Sequence, residues 1–401
     1  MNRNHFCALL GILLLLLPWF RHGFSWPEVV AEQLGHCPKQ NCDFLNHYLP
    51  QAQRIAQNIS DLQDGWFYPP TLAILLEPLL FFSESTISTL WTCFNIIVML
   101  GICVLGMQAL PNKKNAFLWS LALVSTSMPV LSSIKWGQIS LLIVLLCWWS
   151  LTNLHQHKHE RLSGMAIGVA AALKGFPAVY LLWPLWKKNI QSIYSFIVSF
   201  LGIGLLLPLL RIGWEQTKTH YITMLHAGQW LQHIAPRWGG QALSPSMHRW
   251  FRVGDHMMDK SSALLISIPD MLYPILFLSI VLGMSFLVLR RLSTHPLPVI
   301  LLFCWLGLLS SPGWQHYFGF LPLCMLSLWH RTSTIGKVGV IVAATIERIP
   351  ILLLGSVSHI YYTSSAYGTT TIATILILLI ALFDVSCHPP VEHGDEKNSI
   401  G

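Results

Sequence analysis

The chain reads as one apolar stretch after another, each able to enter or cross a lipid bilayer, with short polar or basic breaks between them. The stretches cover residues 6–20, 71–82, 87–110, 116–134, 138–154, 163–186, 190–210, 263–290, 297–311, 316–329, 338–354 and 369–385. A bilayer core of about 30 Å takes about 20 helical residues, so several of these are too short or too proline-broken to be ordinary spans. Broken helices are tolerated at membrane depth where they line a cavity rather than face lipid. Charged residues make up 10% of the 401 and hydrophobic residues 53%, whereas a soluble domain runs to about 25% charged. No soluble core buries that much apolar surface. The expectation is an all-α polytopic membrane protein with about ten to twelve transmembrane or re-entrant helices, in one domain over residues 1–387 with a short polar tail at 388–401.

The net charge of +7 does not point to nucleic acid, because no soluble module carries a basic face. It sits instead in short runs: Lys113-Lys114, His155 to Arg161, Lys187-Lys188, Arg290-Arg291 and Arg331 to Lys337. Such runs mark cytoplasmic loops. Residues 163–186 have basic clusters at both ends, which a hairpin turning near Pro177 would explain. Two hydrophilic stretches, about 21–70 and about 211–262, then fall on the outer side. The apolar run Phe6 to Phe20 lacks a small-residue cleavage site after it and reads as an uncleaved first helix. Most of the nine cysteines lie in apolar segments and read as small buried hydrophobes. Cys37 and Cys42 share the first outer loop, where an oxidising compartment would allow them to pair.

Seventeen carboxylates are few for this length, so those in the loops stand out. Asp43 lies in Cys42-Asp43-Phe44-Leu45-Asn46-His47-Tyr48, ahead of a helical pattern over 44–57. Composition alone favours it as an N-cap. Asp61 and Asp64 read as turn residues near Gly65. Tyr68-Pro69-Pro70 gives a rigid entry into the bilayer, with aromatics at headgroup depth. Polar residues in apolar surroundings follow: Gln138 after Trp136-Gly137, Lys174 inside its segment, Gly240-Gln241-Ala242 with Arg249-Trp250, and Ser310 to Tyr317. A charge at membrane depth costs about 2.5–3.5 kcal/mol on insertion scales, so Lys174 calls for a partner or a function unless it snorkels. A lone histidine such as His316 is more often a satisfied interfacial residue than a functional one.

In this order the marks resemble glycosyltransferase family 87. They are Asp43-Phe44 with Tyr48, Tyr68-Pro69-Pro70 with Pro78, Gly137-Gln138, Ala172-Leu173-Lys174 with Pro177, Gly240-Gln241 with Arg249, and Ser311-Pro312 with Trp314 and His316. They span about residues 40 to 330. The chain departs from the family pattern at Gly240-Gln241-Ala242, where an Asn-Gln-Ser run is expected, and at His316-Tyr317, where two histidines are usual. The resemblance implies a GT-C bundle with two outer loops. It also implies transfer of a hexose, mannose by expectation, from a polyprenyl-phosphate donor to a hydroxyl on a glycolipid or other membrane acceptor. The setting implied is the outer face of a bacterial inner membrane. By the same resemblance Asp43 is the base of an inverting displacement; Lys174, Arg249 and His316 contact phosphate and sugar, Gln138 and Gln241 hold sugar hydroxyls, and Tyr68 lies with them. No cofactor or metal is required, although a divalent ion is compatible with the residues. The rival readings are a transporter or lipid flippase, to which intramembrane polar residues and broken helices are also native, and a non-catalytic membrane subunit.

Overall fold

The computed structural model describes residues 40–59, 66–111, 115–234, 240–252, 265–292, 294–310, 313–352 and 367–385. The expected first helix, Cys37, Asp61, Asp64 and the tail at 388–401 lie outside them. All regular structure among the described residues is helical. A π-helical turn, Phe44–Tyr48, leads into α1 (Leu49–Ala56), followed by α2 (Pro70–Leu76), α3 (Glu84–Gln108), α4 (Ala116–Ser125), α5 (Met128–Trp136), α6 (Ser140–His155) and α7 (Glu160–Lys174). Then come α8 (Leu182–Trp186), α9 (Ile190–Ser199), α10 (Leu207–Ile234), α11 (Leu243–Phe251), α12 (Leu272–Leu292), α13 (Pro298–Leu309), α14 (Leu321–Trp329), α15 (Thr334–Leu352) and α16 (Thr369–Phe383).

The chain is an all-α polytopic membrane protein. Among the described residues, Glu84–Gln108, Ile190–His226 and Leu272–Leu292 are long and apolar enough to cross a bilayer. The pair α4 and α5 passes the same test jointly, but is bent by 64° at Thr126-Ser127. Shorter apolar helices complete the bundle, as the proline-broken stretches suggest. The second hydrophilic stretch differs from the expectation of a loop beginning at 211. α10 runs through that point, kinked at Gly213, and carries helix out to Ile234.

The expected hairpin is present, with its turn at Gly175, two residues before Pro177. α7 ascends to Lys174, and a 3-10 helix, Phe176–Leu181, descends into α8. Glu160 and Lys187, at the two feet of this hairpin, line a common cavity. α7 packs tightly on α9 because Gly164 and Gly168 present no side chain: a Cβ at Gly164 would stand 2.1 Å from the Ser192 carbonyl oxygen, and one at Gly168 would stand 2.1 Å from Ser199 Oγ. Small residues four apart are the usual means of close helix approach in lipid, where apolar surface alone gives no preference for protein over lipid.

The short helix α5 is fixed at both ends. At its start, Glu347 of α15 accepts hydrogen bonds from Ser127 Oγ (2.8 Å) and the Met128 amide (2.6 Å), satisfying donors that the break from α4 exposes. Arg348 binds the other Glu347 oxygen at 2.6 Å and reaches Thr126 Oγ1 at 3.0 Å. Glu347 is fully buried. Removing one member of a buried pair strands the other, at a cost of about 3–5 kcal/mol, whereas replacing both by apolar residues costs far less. Thermal unfolding in detergent is therefore expected to show a large loss for Glu347→Ala. The double variant Glu347→Leu/Arg348→Met should be less damaged than that single change.

Candidate functional site

The far end of α5 carries the site. Helix α5 stops at Gly137, whose φ of +67° is the left-handed conformation favoured in glycine. A Cβ there would also lie 2.9 Å from Asn41 Cα and from Phe44 Cβ, so glycine permits the first outer segment to dock directly on the helix end. The docking is polar and dense. The Asn41 amide donates to the Lys135 carbonyl (2.9 Å), its side chain donates to Ser88 and Thr92 of α3, and Gln40 donates to the Ile134 carbonyl (2.8 Å). Trp91 Nε1 donates to the Gly137 carbonyl at 2.7 Å, and the Trp91 ring stacks on Phe44 at 4.3 Å.

This docking places Asp43 against Gln138. The Gln138 amide nitrogen donates to Asp43 Oδ2. Its carbonyl oxygen accepts from Tyr48 Oη at 2.8 Å, Lys174 Nζ at 3.0 Å and, more distantly, Tyr68 Oη at 3.4 Å. Lys174 also donates to Ser140 Oγ at 2.7 Å and lies over the rings of Tyr317 (4.5 Å) and Tyr68 (5.2 Å). Lys174 therefore does not snorkel: it is 5% exposed, and neutral oxygens and aromatic faces hold its ammonium. That arrangement leaves a buried amine whose N–H groups can meet an anion. Asp43 is half-buried and sits inside the first helical turn without a capping bond, which overturns its N-cap reading. Tyr68 is likewise no headgroup anchor: it and Trp66 are buried against Tyr48.

A second network holds the remaining candidates. The Gln241 amide donates to the Gly313 carbonyl at 2.6 Å. Gly313, at φ +56°, packs so closely that a Cβ would stand 2.4 Å from that of Ala242. Thr371 Oγ1 donates to the Gln241 carbonyl (2.6 Å), and Arg249 donates to the Gly240 carbonyl at 2.7 Å. Arg249 is fully buried, and burial lowers its guanidinium to about 9, which leaves it charged at neutral pH. The 3-10 turn Gln315–Phe318 borders both networks, through Gln315 to Thr370 (3.4 Å) and through Tyr317 over Lys174. His316 is buried between them with its Nε2 unpartnered, so it is not the satisfied histidine that frequency favours. The structure thus gathers Asp43, Gln138, Lys174 and Tyr68 in one network, and ties Gln241 and Arg249 into the adjoining one.

The sequence reading gave no role to Tyr48, Ser140 or Tyr317. Ser140 had a signal, a hydroxyl two residues beyond Gln138 at the start of an apolar helix. Cys42, beside Asp43, is disulfide-bonded; Cys37, its expected partner, lies outside the described residues. Among the described residues no group of three His, Cys, Asp or Glu side chains is placed to hold a metal ion.

Burial pushes the Asp43 carboxyl above its ordinary 3.8, against the opposing pull of His47, the Gln138 hydrogen bond and Lys174. A raised carboxyl means that the fold favours the neutral form, so keeping Asp43 ionised at neutral pH costs stability. Asp43→Asn is then expected to melt at the same temperature as the native protein or higher at pH 7, with the gap narrowing as pH falls; thermal unfolding at two pH values checks this.

The sequence profile of Glycosyltransferase family 87 matches residues 66–312. Two curated relatives share shorter stretches. One, from Mycobacterium tuberculosis (strain CDC 1551 / Oshkosh), is named a polyprenol-phosphate-mannose-dependent alpha-(1-2)-phosphatidylinositol pentamannoside mannosyltransferase. It is 26% identical over 159 residues, 38% of this chain and 36% of the relative. The other, of the same name from Mycolicibacterium smegmatis (strain ATCC 700084 / mc(2)155), is 28% identical over 163 residues, 37% of this chain and 36% of the relative. The match thus spans about a third of each relative. No solved structure matches significantly. With the profile covering more than half of its length, the chain belongs to glycosyltransferase family 87.

Proposed function

We propose that the protein transfers a hexose, mannose by the relatives' example, from a polyprenyl-phosphate donor to a hydroxyl of a glycolipid acceptor at the outer face of the membrane. The observation that carries this reading is Gln138, whose one amide joins the Asp43 carboxylate to the Lys174 ammonium. Sugar transfer from a lipid phosphate needs both groups. A base must take the proton of the acceptor hydroxyl, and a cation must receive the charge of the departing phosphate.

In the proposed step, the acceptor oxygen attacks the anomeric carbon as its proton passes to Asp43. The bond from that carbon to the phosphate oxygen breaks, and the electron pair leaves with the polyprenyl phosphate. A single displacement inverts the anomeric centre. Gln138 occupies Oδ2 of Asp43, which orients the carboxylate and leaves Oδ1 toward the acceptor. Lys174 receives the phosphate, with Arg249 as the second cation; Gln241 and His316 serve the sugar from the adjoining network. A leaving phosphate needs no general acid, and none is assigned. A flippase would have less use for a carboxylate hydrogen-bonded into a network with a buried lysine, and the family match favours transfer.

With labelled polyprenyl-phosphate mannose and total membrane lipid as substrates, Asp43→Asn is expected to lose about 10²–10⁴-fold in rate while accumulating normally. Full activity in that variant would remove the mechanism. The base acts ionised and its carboxyl is raised by burial, so the acid limb of kcat/KM should lie above that of an exposed carboxylate. Lys174 is one of the groups that lower it, so Lys174→Met should move the limb to still higher pH, besides raising the KM for donor.

A further inference from the structure

A cavity of about 350 Å³ lies at the opposite end of the bundle from Asp43, lined among others by His157, Glu160, Trp183, Lys187, Lys188 and Gln191. α7 connects the two places: Glu160 stands at the cavity and Lys174 at the site, about 21 Å apart at 1.5 Å rise per residue. Two independent features of this cavity suit a phosphate, its lysine pair and a helix N-terminus. Lys187 and Lys188 bring two ammonium groups, with Lys187 set over the Trp183 ring at 4.9 Å. Lys188 is held in a left-handed conformation at φ +53° between α8 and α9. The N-terminus of α9 opens at the cavity; Asn189 caps the Ser192 amide, while Ile190 and Gln191, whose amides have no intrahelical acceptor, line the wall. Trp183 is buried, and its ring forms part of the cavity wall beneath Lys187.

The cavity borders the lipid-facing surface. Leu182, Leu185, Trp186, Ile190 and Tyr194 are exposed large hydrophobic residues on the same short stretch of chain. A ligand with a phosphate in the cavity could lay acyl chains along them, which a soluble anion could not. We propose that this cavity binds the phosphate of an anionic membrane phospholipid, on the membrane face opposite the transfer site. Basic pockets between helices at the membrane surface have this use in general. Among the described residues the side chain of Glu160 pairs with His157 (3.6 Å) and with neither lysine.

The test uses the full-length protein in detergent, titrated with dioleoylphosphatidylglycerol or dioleoylphosphatidylcholine, with bound lipid counted by native mass spectrometry. The anionic lipid should bind at concentrations on the order of tenfold lower, given what each basic residue contributes near an anionic headgroup. Lys187→Gln/Lys188→Gln should remove that preference. Arg290→Gln/Arg291→Gln, which alters basic residues outside the cavity, should keep it. Lys188→Gln alone should weaken it and serves if the double lysine variant does not fold. Equal binding of the two lipids by the native protein, an unchanged preference in the lysine variant, or equal loss in the arginine variant would overturn the proposal. Displacement of the lipid by millimolar inorganic phosphate would reassign the cavity to a soluble anion and overturn it as well.

Discussion

The whole arrangement depends on one side-chain amide. Gln138 has a single carbonyl and a single NH2, and the fold uses them on residues up to 95 positions away along the chain: Asp43 and Tyr48 from the first outer segment, Tyr68 from the approach to α2, and Lys174 from the top of α7. A glutamine is suited to this because one end accepts and the other donates without charge. A carboxylate at position 138 would neutralise Lys174 and repel Asp43. Buried polar networks raise the stakes of every member, since an unmade bond at this depth is costly.

Holding Gln138 in place explains much of the surrounding architecture. Gly137 lets the Asn41–Phe44 segment rest directly on the end of α5, and Trp91 and Asn41 then fasten that contact to α3. At the other end of α5, a buried glutamate–arginine pair from α15 occupies the break from α4. The helix is therefore short, bent from its neighbour by 64° and fixed at both termini. A rigid element of this kind suits residues that must meet a substrate in a set geometry.

The membrane class was legible because hydropathy is a sum over many residues and tolerates local error. Gln138 and Lys174 stand out in the sequence because each is polar where its neighbours are apolar, Asp43 because loop carboxylates are few, and Tyr68 through the family order. Other features do not. Asp43 looked like a cap because aspartate before a helical pattern usually is one; only the docking of Gln40 and Asn41 onto α5 turns its carboxylate elsewhere. Residues beyond 211 looked like a loop because their charges suit water, yet α10 continues through them. Glu347-Arg348 gives no such signal, since two adjacent opposite charges suggest a solvated face rather than a fully buried glutamate. The Gly164 and Gly168 spacing was readable in principle, but its partner serines lie about thirty residues on, and pairing across a turn cannot be read from one strip of sequence.

The pin from α15 has a consequence for biogenesis. Every side chain of the Asp43–Lys174 network has left the ribosome long before residue 347 is made, and the threonines of α16 that support Gln241 and Gln315 come later still. A nascent chain halted after Tyr317 would carry every side chain of that network and lack the clamp that aligns it. Synthesis from N- to C-terminus therefore completes the alignment of this network only once α15 and α16 have been made.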